Sequence, residues 1–573
     1  MEDRTVRGAD VLAEGLSRSG ADTVFALSGN HVMPVFDALL DHPGIALVHT
    51  RHEAAAVHMA DAHARLASWR PIHGSGRRPS PTGRLAGRPG LALVTGGQGH
   101  ANAVAALPTA MAGEVPLVLL SGHAPLGELG LGAFQEMANA DLAAPVTKAS
   151  WVAGSAAGLA GELARAMRIA ASGRPGPVHL GLPTDVLEAR LDPAAVAWPQ
   201  AGAFAPEPMP LAPGTAALVR AELARARRPL VVAPPALCTP RGRRLLAAVR
   251  RALGVPVVPM ESPRGLNDPS LGAFAEVLAE ADLVLLLGKP LDFTLRFGRP
   301  PAVAAACRWM VVEPEAALLA RAARGLGERL VLAALAGPWE AAAALVEGRT
   351  EAADHAGWTE AVEAAIAYRP AAWEALRTRA TGGPIHPVTL CHALAPWLAG
   401  DGSGPGAVLV SDGGEIGQWA QALLPAAPHR IINGVAGAIG PSIPFAIAAR
   451  RAMPGSRVLA VLGDGSFGFH MAEFDTARRH GLPFVAVVGN DSRWNAEHQI
   501  QLRDYGEARA HGCALAPATR YDLVAAALGG HGEFVREAAE LPAALERAFA
   551  SGLPACVNVL IEGQAAPVLR RHA

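Results

Sequence analysis

The chain has 573 residues, of which 51% are hydrophobic and 18% charged, and its 50 basic side chains nearly balance 51 acidic ones. This composition supports several buried cores and excludes global disorder, while the balanced charge offers no basic field for nucleic acid. Five widely spaced cysteines argue against a zinc site or a disulfide scaffold, and the lack of a signal-peptide pattern or a membrane-length apolar run predicts a cytoplasmic protein away from membranes.

Short, almost continuously apolar runs alternate with helical stretches along the chain. Most runs end in Gly, Ser or Thr, which is typical of strands in a parallel sheet that is covered on both faces. The clearest predicted strands are 91–95, 117–121, 230–233, 255–258, 283–288, 408–411, 458–463 and 484–489. Helices are predicted between them, for example at 53–67 and 471–480. The alternation predicts an α/β fold built from doubly wound parallel sheets.

Two changes in composition divide the chain into three predicted domains of similar size. A proline-rich stretch without periodicity covers 191–214, and a mixed polar segment covers 347–387. The predicted domains are 1–190, 191–370 and 371–573. A further segment, 68–90, is rich in Pro, Gly and Arg and is predicted to be an exposed loop, which is most simply a neutral insertion.

The strongest local motif is a glycine-rich turn, GDGSFG, which follows the predicted strand 458–463. Its letters satisfy the GxGxxG pattern of nicotinamide-dinucleotide sites, although a lone GxGxxG is weak support for that reading. Asp464 lies between the first two glycines, where a bare carboxylate would repel a pyrophosphate unless a cation lay between them. A structural alternative is that Asp464 only caps a helix.

A second carboxylate, Asp491, lies 27 residues after Asp464, at the end of the next predicted strand. Ligands of parallel α/β sheets collect at this edge of the sheet, because the carboxyl ends of neighbouring strands meet there. Two such carboxylates, together with phosphate oxygens, a main-chain carbonyl and water, would complete an octahedral Mg²⁺ shell.

This spacing resembles the motif of the thiamin-diphosphate enzymes, a superfamily that includes acetolactate synthase, benzaldehyde lyase, oxalyl-CoA decarboxylase and 2-hydroxyacyl-CoA lyase. The resemblance implies that Asp464, Asp491 and the carbonyl of Arg493 bind Mg²⁺. It also implies cofactor contacts from Gly463, Gly465, Ser466 and Trp494. This chain has Asp491 where the family usually has Asn, and because Asp is also a hard oxygen ligand, binding is expected to survive with one more negative charge.

A thiamin cofactor also needs a protein carboxyl group on its aminopyrimidine ring, which promotes loss of the thiazolium C2 proton. Residues 46–65 predict a strand and then a helix with Glu53 in its first turn, a place where acids are also common for structural reasons. Four blocks resemble the family's pyrimidine-binding domain, namely 28–39, 93–104, 134–136 and 173–187. With them, Glu53 falls on the activating glutamate of the family.

Further cofactor contacts are implied by the resemblance alone. The segment 412–419 resembles the one whose main chain meets the diphosphate. Its candidate residues are Glu415 and Ile416. The segment 433–442 resembles the block that bends the cofactor, with the Ile439 side chain between the two rings and main-chain groups of Gly437 and Ile439 on the pyrimidine.

Three residues bear on the substrate. His31 matches a histidine of benzaldehyde lyase and of some 2-hydroxyacyl-CoA lyases, and it could move protons to or from a substrate hydroxyl, although a capping or solvated histidine is the simpler alternative. Gln135 matches a glutamine that lines the active site and can donate to a developing oxyanion. His100 replaces a small residue of the synthase pattern and is expected to narrow or polarise the pocket.

The central domain resembles the region where acetolactate synthase holds FAD and oxalyl-CoA decarboxylase holds a nucleotide. Its stretch 289–298 lacks the arginine pattern of the synthases and is closer to the acyl-CoA lyase or benzaldehyde lyase branch. FAD binding is therefore possible in this domain but is not supported by the sequence. The resemblance also implies a homodimer or homotetramer, because in this family Glu53 of one subunit would complete the cofactor site of another.

The resemblance covers 1–565 and implies pyrimidine-binding, central and diphosphate-binding domains. The implied activity makes or breaks a carbon–carbon bond in 2-keto acids or 2-hydroxy carbonyl compounds with thiamin diphosphate and Mg²⁺. Acetolactate-synthase-like carboligation is the first expectation, and a benzaldehyde-lyase-like acyloin lyase or a 2-hydroxyacyl-CoA lyase is the alternative. Alternatives of other classes are an NAD(P)-dependent dehydrogenase and a non-catalytic relative, and the intact Glu53, Asp464 and Asp491 disfavour the latter.

Overall fold

A computed structural model describes residues 5–67, 88–347, 355–379, 382–399, 406–424 and 429–572. Most of the predicted loop at 68–90 lies outside these residues. The described residues form two compact units, the first ending at Glu207 and the second beginning at Pro208.

The first unit is an α/β unit. Its strands are β1 (Val6–Arg7), β2 (Thr23–Ala26), β3 (Ala46–His49), β4 (Gly90–Val94), β5 (Leu117–His123), β6 (Ala149–Val152), β7 (Pro177–Pro183) and β8 (Arg190–Leu191). Its helices are α1 (Gly8–Arg18), α2 (Met33–Leu39), α3 (Glu53–Ala67), α4 (Gln98–Val104), α5 (Leu107–Ala112), α6 (Asn139–Ala143), α7 (Leu159–Ala171) and α8 (Thr184–Glu188). Six strands form a parallel sheet in the order β3-β2-β4-β5-β7-β6, and β1 pairs antiparallel with β8.

The second unit contains two parallel sheets, and the first of them is central in the chain. Its strands are β9 (Pro229–Ala233), β10 (Val257–Pro259), β11 (Leu283–Leu287), β12 (Arg308–Glu313) and β13 (Leu330–Leu335), in the order β10-β9-β11-β12-β13. Its helices are α9 (Pro213–Arg225), α10 (Pro240–Leu253), α11 (Phe274–Glu280), α12 (Ala316–Leu326), α13 (Pro338–Glu347) and α14 (Ala356–Ala367). Alternate residues of β9 join different apolar clusters, so both faces of this sheet are covered.

The C-terminal sheet has six strands. They are β14 (Ala407–Ser411), β15 (His429–Ile432), β16 (Arg457–Gly463), β17 (Val485–Asn490), β18 (His531–Val535) and β19 (Ala555–Leu560), in the order β15-β14-β16-β17-β19-β18. Its helices are α15 (Pro387–Leu398), α16 (Gly414–Leu423), α17 (Ser442–Ala452), α18 (Asp464–His470), α19 (Glu473–Arg479), α20 (Asn495–Tyr505), α21 (Tyr521–Ala527) and α22 (Leu541–Ala550). Counted along the chain, the strand order is 2-1-3-4-6-5, which is also that of the six-stranded sheet in the first unit.

The predicted fold class is confirmed, because three parallel α/β sheets are present and each predicted apolar run contains a strand. The predicted helix at 53–67 is α3, and the one predicted at 471–480 contains α19, whereas the glycine-rich turn itself forms a short helix, α18, that contains Gly465 and Gly468. The domain boundaries near 190 and 370 stay predictions. Within the described residues, no helix combines the length and hydropathy needed to cross a bilayer.

Candidate active site

Glu53 lies at the carboxyl edge of the first sheet, as the first residue of α3, and it is buried. Asn102 on α4 donates a hydrogen bond from Nδ2 to Glu53 Oε2 at 3.0 Å. A Cβ atom on Gly99 would lie 2.7 Å from Thr95 Cγ2 and 3.2 Å from Glu53 Oε1. A side chain at position 99 would fill the space beside Glu53 Oε1, so glycine is needed to keep that space open. The space suits a cofactor ring that forms a hydrogen bond with Glu53.

His31 lies against the same turn after β4. Its Nδ1 is 3.2 Å from the Thr95 hydroxyl and its Nε2 is 3.3 Å from the carbonyl oxygen of Phe134, whose ring stacks on the imidazole. Because a carbonyl oxygen only accepts, the geometry assigns the proton to Nε2 and leaves Nδ1 to accept from Thr95. Burial lowers the pKa of His31 below 6.5, so the ring is neutral at pH 7.

Gln135 completes this group of candidate residues. Its backbone φ is +55°, which is unusual for a residue other than glycine, and its Cβ and Cγ face Gly97 at the end of the turn. The structure thus brings Glu53, His31 and Gln135 together around residues 95–99. Sequence reasoning did not single out Thr95 or Asn102, although both lie in the block 93–104 that resembles the family's pyrimidine-binding domain.

His100 does not line an open pocket in the described residues, contrary to the expectation. Its side chain is fully buried, its ring centroid lies 4.5 Å from that of His179, and burial lowers the pKa of His100 to about 4. The reason is that α4 turns this position toward β7, where Ser121 and Ser150 hold the two nitrogens of His179 at 2.7 and 2.8 Å.

The two predicted metal carboxylates lie at the ends of neighbouring strands in the C-terminal sheet. Gly463 pairs with Gly489 in the parallel register of β16 and β17, so the residues that follow emerge at the same edge. Asp464 begins α18 and is buried, and Asp491 directly follows β17 and is half-buried. Asp464 Oδ1 accepts a hydrogen bond from the backbone amide of Gly465 at 2.9 Å.

The electrostatics of this pair favour a cation. Burial raises the pKa of Asp464 to about 6, and the backbone amides of Gly465, Ser492 and Arg493 only partly oppose that shift. Burial and the charge of Asp464 raise the pKa of Asp491 to about 7. The buried Oδ2 of Asp464 has no hydrogen-bond partner in the part of the chain that the structure describes.

These residues fit a hard divalent cation. The described ranges contain no group of three or more His, Cys, Asp or Glu side chains around a common metal position. Two carboxylates and a main-chain carbonyl therefore make a partial shell, and a phosphate ligand and water would have to supply the remaining oxygens. A Mg²⁺ ion bound through a diphosphate meets this requirement, whereas an all-protein metal cage does not.

The remaining predicted diphosphate contacts surround this pair. The Trp494 ring packs on α18, where a Cβ on Gly465 would lie 2.5 Å from its Cζ3 atom, and Ser466 is buried in the same turn. Arg493 directs its side chain outward, with its guanidinium 3.3 Å from His498. Only the main chain of Arg493 is thus placed toward Asp464.

The two loops quoted at 412–419 and 433–442 are joined by a residue that sequence reasoning missed, Asp412. Its buried carboxylate accepts from the amides of Gly413, Gly440 and Ser442 at 2.7–3.2 Å. Asp412 follows a strand as Asp464 does, and this signal could have identified it. The half-buried Ile439 and the exposed Gly437, with φ +69°, lie in the second loop just before Gly440.

Glu415 and Ile416 open the helix α16. Ile416 is buried in the C-terminal apolar core beneath β16 and β17. Glu415 is buried as well, and its Oε2 accepts from the backbone amide of Ala566 at 2.5 Å, which ties it to the C-terminal segment of the chain. That segment also runs beside Asp491, because Asn495 donates to the carbonyl oxygen of Gln564 at 3.2 Å. No sequence motif pointed to these C-terminal residues.

Comparison with known proteins agrees with this arrangement. Residues 6–71 and 81–143 match the family profile "Thiamine pyrophosphate enzyme, N-terminal TPP binding domain", and residues 412–559 match "Thiamine pyrophosphate enzyme, C-terminal TPP binding domain". The chain is 32% identical to an acetolactate synthase large subunit from Mycobacterium tuberculosis, over 98% of this chain and 96% of that protein. It is 29% identical to 2-hydroxyacyl-CoA lyase 2 from Homo sapiens, over 97% and 90% of the two chains.

The same comparison includes 2-hydroxyacyl-CoA lyase 2 from Danio rerio, at 30% identity over 92% of this chain and 86% of that protein. The C-terminal match contains the GDGSFG turn at 463–468, which therefore belongs to a thiamine pyrophosphate domain. This finding removes the support for a nicotinamide-dinucleotide site at that turn.

The raised pKa of Asp491 predicts how a neutral substitution changes stability. Since the folded-state pKa of about 7 exceeds the ordinary value of 3.8, ionisation destabilises the metal-free fold, and stability falls as the pH rises from about 4 to 7. At pH 8 in EDTA, we expect Asp491→Asn to raise the free energy of unfolding by roughly 2 kcal/mol in urea titrations.

The control for this prediction is Asp504→Asn on α20, which should change the EDTA stability much less than Asp491→Asn does, because the Asp504 ion pair with Arg503 is exposed. Added Mg²⁺ and thiamin diphosphate should stabilise the wild type more than Asp491→Asn. Equal stabilities of wild type and Asp491→Asn in EDTA at pH 8 would contradict the repulsion between Asp464 and Asp491.

Proposed function

The chain belongs to the thiamine pyrophosphate enzyme family, and from this membership we propose that it is a Mg²⁺-dependent enzyme that makes or breaks a carbon–carbon bond beside a carbonyl group. The observation that carries the proposal is the pair of the buried Asp464 and the half-buried Asp491 at the ends of neighbouring strands, which could hold a diphosphate-bound cation. Thiamin diphosphate (the same compound as thiamine pyrophosphate), when bound, supplies an acidic ring carbon that becomes a nucleophile toward carbonyl carbons.

Different residues of the chain would then bind the cofactor and transfer protons. Asp464, Asp491 and the Arg493 carbonyl would hold Mg²⁺, with Trp494 covering α18. In the first unit, Asn102 donates a hydrogen bond to one oxygen of Glu53, and the second oxygen would accept or share a hydrogen bond with the pyrimidine ring.

Two further residues would act on the substrate. Neutral His31 can take up a proton at Nδ1 through the Thr95 hydroxyl, or give one up from Nε2. Gln135 would donate a hydrogen bond to an oxygen on which negative charge develops.

We place acetolactate-synthase-like carboligation first among the reactions, because an acetolactate synthase large subunit is similar over nearly the whole chain. A 2-hydroxyacyl-CoA lyase or acyloin lyase reaction is the second candidate. It is favoured by the placement of His31 against the same turn, residues 95–99, that Glu53 approaches, because cleavage of a 2-hydroxy compound requires removal of a hydroxyl proton.

The proposal extends to the assembly and the location of the enzyme. We propose a cytoplasmic homodimer or homotetramer in which Glu53 of one subunit completes the cofactor site of another. FAD is left out of the proposal, because 289–298 lacks the arginine pattern of FAD-binding synthases.

A panel of donors and acceptors on protein reconstituted with thiamin diphosphate and Mg²⁺, followed by mass spectrometry, tests the reaction. Formation of acetolactate from pyruvate supports the first candidate, and release of an aldehyde from a 2-hydroxyacyl-CoA supports the second. If no compound in a panel of 2-keto acids, acyloins and 2-hydroxyacyl-CoA thioesters reacts, the enzymatic proposal is wrong and a non-catalytic relative is favoured.

The proposed role of Glu53 predicts that Glu53→Gln loses turnover but not its fold. The substitution preserves the shape and the contact with Asn102 but removes the carboxyl group, so kcat should fall by at least about 100-fold. Circular dichroism melting should show an intact fold. Glu188→Gln, at an exposed glutamate that ends α8, should retain wild-type turnover. Wild-type kcat in Glu53→Gln would refute this role.

The lowered pKa of His31 predicts how the activity depends on pH. Because its pKa is lowered by burial, the neutral ring persists to pH values below 6.5, and activity should stay flat from pH 8 to 6.5 before falling on the acid side. In His31→Asn, kcat should drop by about 100-fold and the acid limb that belongs to His31 should disappear. A pH–rate profile of both proteins checks this, and an unchanged acid limb in the variant would assign it to another group.

A further inference from the structure

Asn558 is a fully buried amide in the middle of β19, between the apolar residues Val557 and Val559. The sheet alternation points Val557 and Val559 into the C-terminal apolar core, so Asn558 faces the opposite side of the sheet. Burying an amide is unfavourable unless its donors and acceptor are satisfied. The hydrogen bonds of Asn558 therefore show what holds it at this position.

Those hydrogen bonds join Asn558 to the last residue of β17 and to the start of α21. Asn558 Nδ2 donates to the carbonyl oxygen of Thr519 at 2.8 Å and to Asp522 Oδ1 at 3.3 Å. Its Oδ1 accepts from Asn490 Nδ2 at 3.1 Å, and the same Asn490 amide group donates to Thr519 at 3.1 Å. Asn558 and Asn490 thus share one carbonyl and fix each other's orientation.

Asn490 in turn forms hydrogen bonds with Ser492, the residue that follows Asp491. Its Oδ1 accepts from the backbone amide of Ser492 at 3.2 Å and from the Ser492 hydroxyl at 3.3 Å. Ser492 has φ +57°, and Ala518, whose amide donates to Ser492 Oγ at 3.1 Å, has φ +50°. Two non-glycine residues in the left-handed region are unfavourable, and they persist only where neighbouring groups hold them.

The strained turn sets the geometry of the candidate metal ligands. Ser492 lies between Asp491 and Arg493, so its backbone conformation decides where the Asp491 carboxylate and the Arg493 carbonyl point. The amides of Ser492 and Arg493 also lie close to the Asp464 carboxylate. Relaxation of φ at Ser492 would move both predicted ligands on this loop at once.

We propose that Asn558 is a positioning residue for the Mg²⁺ site, which it acts on through Asn490 and the turn at Ser492. The inference rests on the proposed function. Asn558 would not bind the metal itself but would hold the turn 491–493 in its strained conformation. Partners outside the ligand shell typically change metal affinity by about 10- to 100-fold when they are removed.

The test measures Mg²⁺ binding by isothermal titration in the presence of saturating thiamin diphosphate, on the full chain. Asn558→Ala should weaken Mg²⁺ binding by about 10- to 100-fold. Val557→Ala, the neighbouring buried residue on the other face of β19, is the matched control. Its urea midpoint should also fall, because a packed methyl pair is lost, while its Mg²⁺ affinity should stay within about threefold of the wild type.

A second pair of variants separates positioning from general destabilisation. Glycine adopts a positive φ without strain, so adding Ser492→Gly to Asn558→Ala should recover part of the lost Mg²⁺ affinity without restoring the urea midpoint. If Asn558→Ala does not fold, Asn558→Thr serves in its place, because the shorter hydroxyl keeps a strand-compatible side chain but cannot reach both Asn490 and Thr519.

Each outcome has a definite meaning. Unchanged Mg²⁺ affinity in Asn558→Ala, or an equal loss in Val557→Ala, overturns the positioning role, and so does a failure of Ser492→Gly to recover any affinity. A wild-type protein that binds neither Mg²⁺ nor thiamin diphosphate overturns the proposed function instead. The two failures are therefore distinguishable in the same titrations.

Discussion

The buried Asp464 and the half-buried Asp491 are held at the ends of neighbouring strands, and the repulsion between their negative charges is the main constraint on the candidate residues of the C-terminal sheet. Asp464 and Asp491 cannot move apart freely, because β16 and β17 are paired in register and buried in the sheet. Nearby backbone amides offset only part of the unfavourable charge. A divalent cation between the two carboxylates would remove this repulsion, so the metal-free protein already has the charge arrangement that favours cation binding.

The first and last sheets share the strand order 2-1-3-4-6-5 but carry different chemistry at their carboxyl edges. In the first sheet, a single carboxyl group, Glu53, lies among uncharged donors and acceptors that leave one oxygen accessible. In the last sheet, two carboxylates lie beside a positive-φ turn. One architecture thus presents different chemical groups at two sheet edges, because a parallel sheet leaves its strand ends free for function, and the proposed function assigns the first edge to a cofactor ring and the last to a metal.

Backbone strain occurs beside both groups of candidate residues. Gln135 in the first unit and Ser492 in the second have positive φ values although neither is glycine. Such conformations are retained where surrounding contacts over-determine them. Around Ser492 those contacts include hydrogen bonds that Ser492 donates to Asn490, whose side chain is held by Asn558, and around Gln135 they include the close approach to Gly97. Both residues lie next to positions at which a small displacement would move a reacting or binding group.

By itself, the amino-acid sequence determined the class of fold and the positions of the chemical groups along the chain. Near-continuous apolar runs that alternate with helical stretches are typical of strands covered on both faces, and glycines and carboxylates at their ends are typical of ligand-binding turns, so Asp464 and Asp491 could be chosen as candidates. Glu53 became a candidate through the resemblance to the thiamin-diphosphate enzymes. The tertiary structure alone decided the partners of those groups. Asn102 reaches Glu53, and the C-terminal segment reaches Asp491, from distant parts of the chain, while Asp412 joins the loops 412–419 and 433–442 and His100 faces the interior. Such partnerships depend on which strands become neighbours, and side-chain periodicity carries no information about that pairing.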